Sequence, residues 1–420
     1  MNKTFAVMTL GCKVNDYEST YIKSELLKDY KLVDFKDKAD IYIIFSCCVT
    51  NTAEAKTRKF IHQARRNNPD GYIVVIGCLA QIKPNLEDFN EVNLIIGSTL
   101  KDKAVQYIKE NVEGNKVQSL DNANFELLNL DTYPGKDRAF LKIEDGCNQF
   151  CAYCTIPYAR GRERSADHIK IIEQAKKLSE NFNEIVLTGI HTGRYNDNGY
   201  KLIDLLNDLI NIEKLKTIRL SSIEITEIND EIIELMANND KIARHLHIPV
   251  QSASNAILKS MHRPYTIDEF IGRVEYIRDK IKDISISTDL IVGFPGENDE
   301  LFEETINNLN KIQFSFIHCF PYSRKTGTVA DKMDNHIDPK IKKERAKIVS
   351  NIEKPISFKY QMSLINKNVD VLIERNINNK SYGYCKQYVY IELEGTYEIG
   401  SLVKARIVSV SSEKVIAQCV

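Results

Sequence analysis

What this 420-residue chain lacks narrows its class before any motif is read. Its formal net charge is only −1. Overall charge therefore does not announce a nucleic-acid binder, and any such contact must rest on local patches. No apolar run reaches the roughly 18 residues of a membrane span. The N-terminus is apolar only from Phe5 to Leu10, too short for the core of a signal peptide. The expectation is a cytoplasmic protein with no membrane partner. Cysteine, by contrast, occurs ten times. In a cytosolic chain that number points to metal or redox chemistry rather than to disulfides. A hydrophobic content of 43% suffices for ordinary cores, and the length predicts roughly three domains at about 150 residues each.

Three cysteines crowd into one short stretch, Cys147-Asn148-Gln149-Phe150-Cys151-Ala152-Tyr153-Cys154, with the spacing C-x3-C-x2-C. A structural zinc site closes with four protein ligands, and no fourth Cys or nearby His completes this set. A four-iron cluster has four corners. Three thiolates would hold three irons and leave the fourth open. A zinc knuckle or an incidental thiol cluster is the bland alternative. The spacing resembles the signature of the radical S-adenosylmethionine (SAM) enzymes, in which SAM chelates the open iron.

Residues 1–113 alternate short strands and helices. Thr4–Leu10, Ile41–Ser46, Tyr72–Gly77 and Val92–Gly97 read as strands, the middle two as continuous apolar runs typical of buried parallel strands. An α/β open sheet of the flavodoxin-like kind follows. Cys12, Cys47 and Cys78 each follow a strand. Ligands bind beyond the carboxyl ends of such strands, so the three can converge on a second metal centre although 35 and 31 residues separate them. One buried Cys at a strand end is unremarkable; three in equivalent places are harder to dismiss. Cys48 competes with Cys47. Neighbouring side chains on a strand point to opposite faces, and the pattern alone does not choose between them.

Residues 114–138 read as a connection. From Arg138 a new series begins, with strands at 139–144, 184–188, 217–221, 245–250, 285–292 and 314–320. Six βα units over residues 136–335 fit a partial TIM-type barrel with its chemistry at the C-terminal mouth. Helix 166–179 presents Ile169, Ile172, Ala175 and Leu178 on one face. The turns 188–193, 221–222, 249–252 and 293–297 fall at strand ends, where a nucleoside and a charged amino-acid tail could be held. Residues 336–360 form a basic helix leaving the barrel, interrupted near Pro355. Residues 361–420 read as short strands of a small β-barrel. Such barrels often bind RNA, but seven Lys/Arg against six Asp/Glu is a weak signal. Cys319, Cys385 and Cys419 are isolated and read as structural.

Two basic groups are candidates for RNA contact. Lys56, Arg58 and Lys59 lie on the helix that starts after Cys47, and Arg160, Arg162 and Arg164 follow the three-cysteine loop. A solvated helix face is the alternative for the first; the SAM carboxylate or a domain interface is the alternative for the second.

The three-part order resembles the radical-SAM methylthiotransferases. The match runs through Thr9–Asn15, Cys47 with Val49-Thr50-Asn51, Gly77–Gln81, the cysteine loop with Thr155–Arg162, Pro249–Ser252, Ile291–Glu297 and Phe320–Ser323. The resemblance implies that Cys12, Cys47 and Cys78 bind an auxiliary 4Fe–4S cluster. It makes Cys147, Cys151 and Cys154 the ligands of the catalytic SAM cluster. It gives Cys48 a position usually held by Thr, places Tyr153 against the adenine of SAM, and lines the SAM site with Gly189, Ser222 and Gln251. Phe45 stands where an Asn is usual. The tail would be a TRAM domain, short for the family. The implied reaction is methylthiolation of an aromatic carbon using two SAM, with a flavodoxin- or ferredoxin-type electron donor and a sulfur donor as partners. The Gly-Cys-Lys-Val-Asn opening and Tyr-Ala-Arg-Gly-Arg-Glu-Arg favour the branch acting on carbon 2 of threonylcarbamoyladenosine in the tRNA anticodon stem-loop. Isopentenyladenosine in tRNA and an aspartate of a ribosomal protein are the alternatives, and an iron–sulfur RNA-binding scaffold is the non-enzymatic one.

Overall fold

The computed structural model describes residues 3–84, 90–121, 123–130, 133 and 135–420. The first domain is a parallel sheet of β1 (Thr4–Thr9), β2 (Lys31–Leu32), β3 (Ile41–Ser46), β4 (Tyr72–Gly77), β5 (Leu94–Ile96) and β6 (Gly114–Lys116), in the order β2-β1-β3-β4-β5-β6. Helices α1 (Lys13–Leu26), α2 (Asn51–Asn67), α3 (Cys78–Ile82) and α4 (Lys101–Lys109) connect them. β3 and β4 are buried throughout because both sheet faces are covered. Their side chains alternate between two cores. Tyr42, Ile44, Ile73 and Val75 go to one; Ile41, Ile43, Phe45, Val74 and Ile76 go to the other. Phe45 thus packs with Ile22, Leu26 and Ile108. The order up to β5 is the flavodoxin-like one, whose switch point lies between β1 and β3. β2 and β6 carry no apolar run, so only their pairing reveals them. β6 lies just past residue 113, inside the stretch expected to be a connector.

The central domain has six strands, Ala139–Lys142, Glu184–Thr188, Thr217–Leu220, His245–His247, Ser285–Val292 and Phe316–Pro321. They form two three-stranded parallel sheets joined by the bridges Ile218–Ile242 and Ser222–His247. The first and last strands do not pair, so the barrel is open along one seam. The expected strand 139–144 stops at Lys142. Glu144–Asp145 instead pairs antiparallel with Arg164–Ser165, a clasp closing the base of the cysteine loop. Helix His168–Ser179 starts two residues later than expected because Asp167 caps it, accepting from Lys170 N at 3.0 Å. Its buried face is Ile171, Gln174, Ala175 and Leu178, and Ile169 is exposed.

Helix Pro339–Met362 runs unbroken through Pro355, against expectation. Its buried Arg345, Val349 and Ile356 anchor it, and tertiary packing outweighs the missing N–H. The C-terminal strands Asn368–Ile377, Lys380–Cys385, Tyr390–Glu394, Leu402–Val410 and Val415–Cys419 close into a barrel. The second of these was not expected. The turn after it plugs the strand-start end of the open barrel. Arg219 donates to the carbonyls of Lys386 (3.1 Å) and Cys385 (3.3 Å), and Tyr388 stacks on His245 with centroids 4.7 Å apart. Chemistry is thereby confined to the opposite mouth.

The small barrel is tightest at Gly383, where a Cβ would lie 1.7 Å from the Leu372 carbonyl oxygen. Gly383→Ala should cost about 3 kcal/mol, the upper range of overpacking, and lower the thermal midpoint of the C-terminal domain in calorimetry.

Candidate active site at two cysteine triads

Each member of the first triad stands at a strand end. Cys12 is the N-cap residue of α1, Cys47 follows β3, and Cys78 opens α3. Gly11 has φ +101°, and a Cβ there would sit 3.2 Å from Cys47 Sγ. Glycine therefore lets the turn after β1 lie against Cys47. Asn15 Nδ2 ties the two turns together, donating to the carbonyls of Leu10 (2.7 Å) and Ser46 (3.0 Å). Burial raises the pKa of both Cys12 and Cys47, and the charge of Cys78 adds to each. Burial pushes Cys47 up to about 12. A hydrogen bond from Cys48, with the nearby Arg160 charge, holds Cys78 below the ordinary thiol range. Cys48 is buried in the apolar cluster of Ile44 and Ala159, with Thr155 Oγ1 3.4 Å from its sulfur.

In the second triad every sulfur receives a donor. Gln149 N lies 3.4 Å from Cys147 Sγ, Ile156 N 3.4 Å from Cys154 Sγ, and Arg263 Nη1 3.4 Å from Cys151 Sγ. Donors aimed at all three sulfurs suit thiolates. Burial pushes Cys154 up to about 12, and the charges of Cys151 and Cys147 add to it. The loop is turned by Gly146 (φ +87°), whose Cβ would fall 2.0 Å from the Arg162 carbonyl oxygen. Tyr153 packs edge-on against Phe294, with centroids 6.4 Å apart.

The barrel rim beside this loop is polar. A Cβ at Gly189 would lie 2.9 Å from Glu144 Oε2, which accepts the N–H groups of Ile190 (2.9 Å) and His191 (2.6 Å). Burial pushes Glu144 up to about 8. The Ser222 carbonyl accepts from Thr192 Oγ1 at 2.7 Å. Gln251 holds a left-handed conformation (φ +61°), the kind of strain that gathers at functional sites. Glu144 Oε1, Thr188 Oγ1, Ser221 Oγ and Glu227 Oε2 are buried without a partner. Buried polar atoms seldom stay unpaired. A ligand carrying an ammonium group and ribose hydroxyls fits this donor and acceptor set, so the residues present suit SAM.

Residues 141–309 match the profile of the Radical SAM superfamily, and residues 4–97 that of the Uncharacterized protein family UPF0004. The Threonylcarbamoyladenosine tRNA methylthiotransferase MtaB of Bacillus subtilis is 40% identical over 96% of this chain and 93% of its own. The tRNA-2-methylthio-N(6)-dimethylallyladenosine synthase of Alkaliphilus oremlandii is 33% identical over 97% and 90%. Among solved structures, the radical S-adenosylmethionine methyltransferase TsrM of Kitasatospora setae superposes with a TM-score of 0.53 at 12% identity, covering 76% of this chain and 75% of that one, a likeness of fold. This chain belongs to the radical SAM tRNA methylthiotransferases. It is a SAM-dependent iron–sulfur enzyme. Among its described residues no helix is long and apolar enough to cross a membrane.

In this methylthiotransferase buried charge ties the first triad to the base of the second triad's loop. Arg160, expected at an RNA surface, is fully buried. It donates to Cys78 Sγ (3.2 Å), Asn15 Oδ1 (2.8 Å), Glu18 Oε1 (2.9 Å) and Asp145 Oδ1 (3.1 Å). Lys142 lies 3.1 Å from both Glu18 and Asp145, and Lys101 3.4 Å from Glu18. Three buried cations thus meet two buried carboxylates, with the Cys78 sulfur as a further acceptor. Arg164 is largely buried and pairs with Asp145 at 3.0 Å. Of the three arginines only Arg162 is exposed, its guanidinium 4.5 Å from the Phe150 ring. Lys56 and Lys59 are exposed, Arg58 is half-buried, and none has an ion pair among the described residues.

The sequence reading missed His191, Glu163, Glu227 and Arg263. His191 Nδ1 lies 3.5 Å from Cys147 Sγ and 3.1 Å from Glu163, and Nε2 lies 2.6 Å from Glu227. Burial opposes its charge, but these contacts push it up to about 12. It stands beside Cys147, and the ligand atoms of Cys147, Glu163 and His191 lie within 4.8 Å of one another. The 188–193 turn was marked as rim, yet nothing local shows which carboxylates His191 meets.

Breaking a buried ion pair on one side costs about 3–5 kcal/mol. Arg160→Met should destabilise by that order. Arg160→Lys should restore stability only in part, since one ammonium cannot reach four acceptors. Thermal unfolding of both variants checks this.

Proposed function

We propose that this enzyme places a methylthio group on carbon 2 of threonylcarbamoyladenosine beside the tRNA anticodon. One 4Fe–4S cluster would sit on Cys12, Cys47 and Cys78, the other on Cys147, Cys151 and Cys154. The observation that carries the reading is the pair of triads, each offering three thiols, with Arg160 bonded both to Cys78 of the first and to Asp145 at the base of the second triad's loop. When bound, the clusters and SAM supply sulfur, methyl and the radical chemistry that an aromatic C–H bond requires. The chain's own residues hold these groups. Tyr153, Gly189, Ser222 and Gln251 would seat SAM, with Glu144 and Glu227 offering acceptors to its ammonium and hydroxyls. The turn around Tyr388 packs on the far end of the barrel. Of the two candidate basic groups, Lys56, Arg58, Lys59 and Arg162 have no ion pair among the described residues and would meet RNA phosphates. Electrons and sulfur come from outside, from a flavodoxin- or ferredoxin-type donor and a sulfur donor.

The choice of adenosine rests on the opening and Arg-rich motifs, and on the higher identity to the Bacillus subtilis relative (40%) than to the dimethylallyladenosine synthase (33%). Single-turnover assay on anticodon stem-loops bearing either modification tests it. Product is expected on the threonylcarbamoyl stem-loop. Product only on the isopentenyl one moves the enzyme to the other branch, and product on neither points to a protein target.

The ligand assignment predicts about eight irons per reconstituted chain. Replacing Cys147, Cys151 and Cys154 together with Ala should leave about half. Cys47→Ala should abolish product, whereas Cys48→Thr should keep it. Iron assay and product analysis decide; a triple variant that lost all iron, or none, would refute two independent sites.

A further inference from the structure

Among the described residues, the last strand of the open barrel, Phe316–Pro321, pairs on one side only, with Ser285–Val292. Alternate side chains of a strand face opposite ways. Ile317 is buried in the core, while Phe316 and Phe320 are 43% and 45% exposed and His318 between them is exposed too. The three rings form a ladder. Phe316 and His318 have centroids 4.5 Å apart, and His318 and Phe320 lie 6.3 Å apart and nearly parallel. His318 also meets the His247 ring at 6.0 Å, and His247 pairs with Asp289 at 3.2 Å. The ladder therefore lines the lumen at the open seam, beside His247 and Asp289. Burial holds His318 below its ordinary pKa, which favours the neutral ring.

An aromatic strip left open in this way marks a contact surface. The chain beyond the strand shows what fits it. Ser323 Oγ accepts Asn51 N at 3.0 Å, and the Arg324 carbonyl accepts Asn51 Nδ2 at 3.2 Å. The strand thus leads directly to the start of α2, where Lys56 and Lys59 are exposed and unpaired among the described residues. Rings in a row leading to free cations are what single-stranded nucleic acid requires: bases stack on the rings and phosphates meet the cations. An apolar protein segment would have no use for those cations.

We propose that Phe316, His318 and Phe320 are a stacking strip for the unpaired bases flanking the reacting adenosine, with the adjoining phosphates on Lys56, Arg58 and Lys59. The proposal rests on the tRNA reading above. It commits to loop bases because a base held in a duplex has no free face to offer.

The test uses reconstituted full-length enzyme and anticodon stem-loops with 2-aminopurine next to the target position. Wild type should bind and quench the fluorophore by stacking. Phe316→Ala and Phe320→Ala should each weaken binding roughly fivefold to a hundredfold, the range for one base–aromatic stack, and lose the quench. Phe320→Tyr should retain both. Phe316→Leu and Phe320→Leu keep the apolar volume and guard against misfolding, with iron content as the check. They should bind weakly, like the alanine variants. Leucine variants that bind and quench like wild type would overturn stacking. Alanine variants that do so while wild type binds would overturn the strip alone. Wild type binding no anticodon stem-loop would overturn the tRNA reading itself.

Discussion

The structure depends on one buried guanidinium. Arg160 follows the second triad in sequence, yet its side chain ends among Asn15, Glu18 and Cys78 of the first domain. Taking such a charge out of water costs several kcal/mol, and only full pairing offsets it. The pairing here crosses the domain boundary: Glu18 comes from α1, Asp145 and Lys142 from the barrel, Lys101 from α4. Neither domain alone can satisfy the set. The relative placement of the two triads is thus held by an interaction whose failure would leave unpaired charge in the interior. The same guanidinium donates to a proposed cluster ligand, so the device that docks the domains also touches the chemistry.

Space around the triads is arranged by exclusion. Gly11, Gly146 and Gly189 each permit an approach that a Cβ would block. The rim polar groups left unpartnered lie on the cysteine-loop side of the barrel. The opposite end is filled by a turn from the C-terminal domain, through Arg219 and Tyr388. That small barrel therefore completes the central one, whatever it contributes to RNA. Among the described residues, the open seam leaves the inner face of Phe316–Pro321 uncovered.

Much of this was legible from local pattern. The apolar runs of β3 and β4 showed a doubly covered parallel sheet, and the cysteines after β1, β3 and β4 fell at its carboxyl edge. Strands of weak pattern were not legible. Gly114–Lys116 has no apolar residue, and Lys380–Cys385 is broken by polar residues and Gly383; both exist because a neighbour offers its free edge. The spacing puts Ile169 on the buried face, yet it is exposed, because the helix packs on the core through Ile171, Ala175 and Leu178. Pro355 was read as a break, and packing of Val349 and Ile356 carries the helix through it.

By itself the sequence determined the chemistry on offer: two sets of three thiols, one in a tight loop and one at successive strand ends. It did so because the geometry of a parallel sheet brings equivalent strand ends to one edge. It also determined the fold class, an α/β architecture ending in a small β-barrel. Only the tertiary structure decided what each charged and aromatic group does. Arg160, Arg162 and Arg164 are spaced alike in the chain, yet one is a buried tie, one an exposed cation and one a clasp to Asp145. His191 found its carboxylates, and Phe316, His318 and Phe320 were left facing an open lumen. These roles depend on partners far away in sequence, and pairing energies between distant groups leave no local periodicity to read.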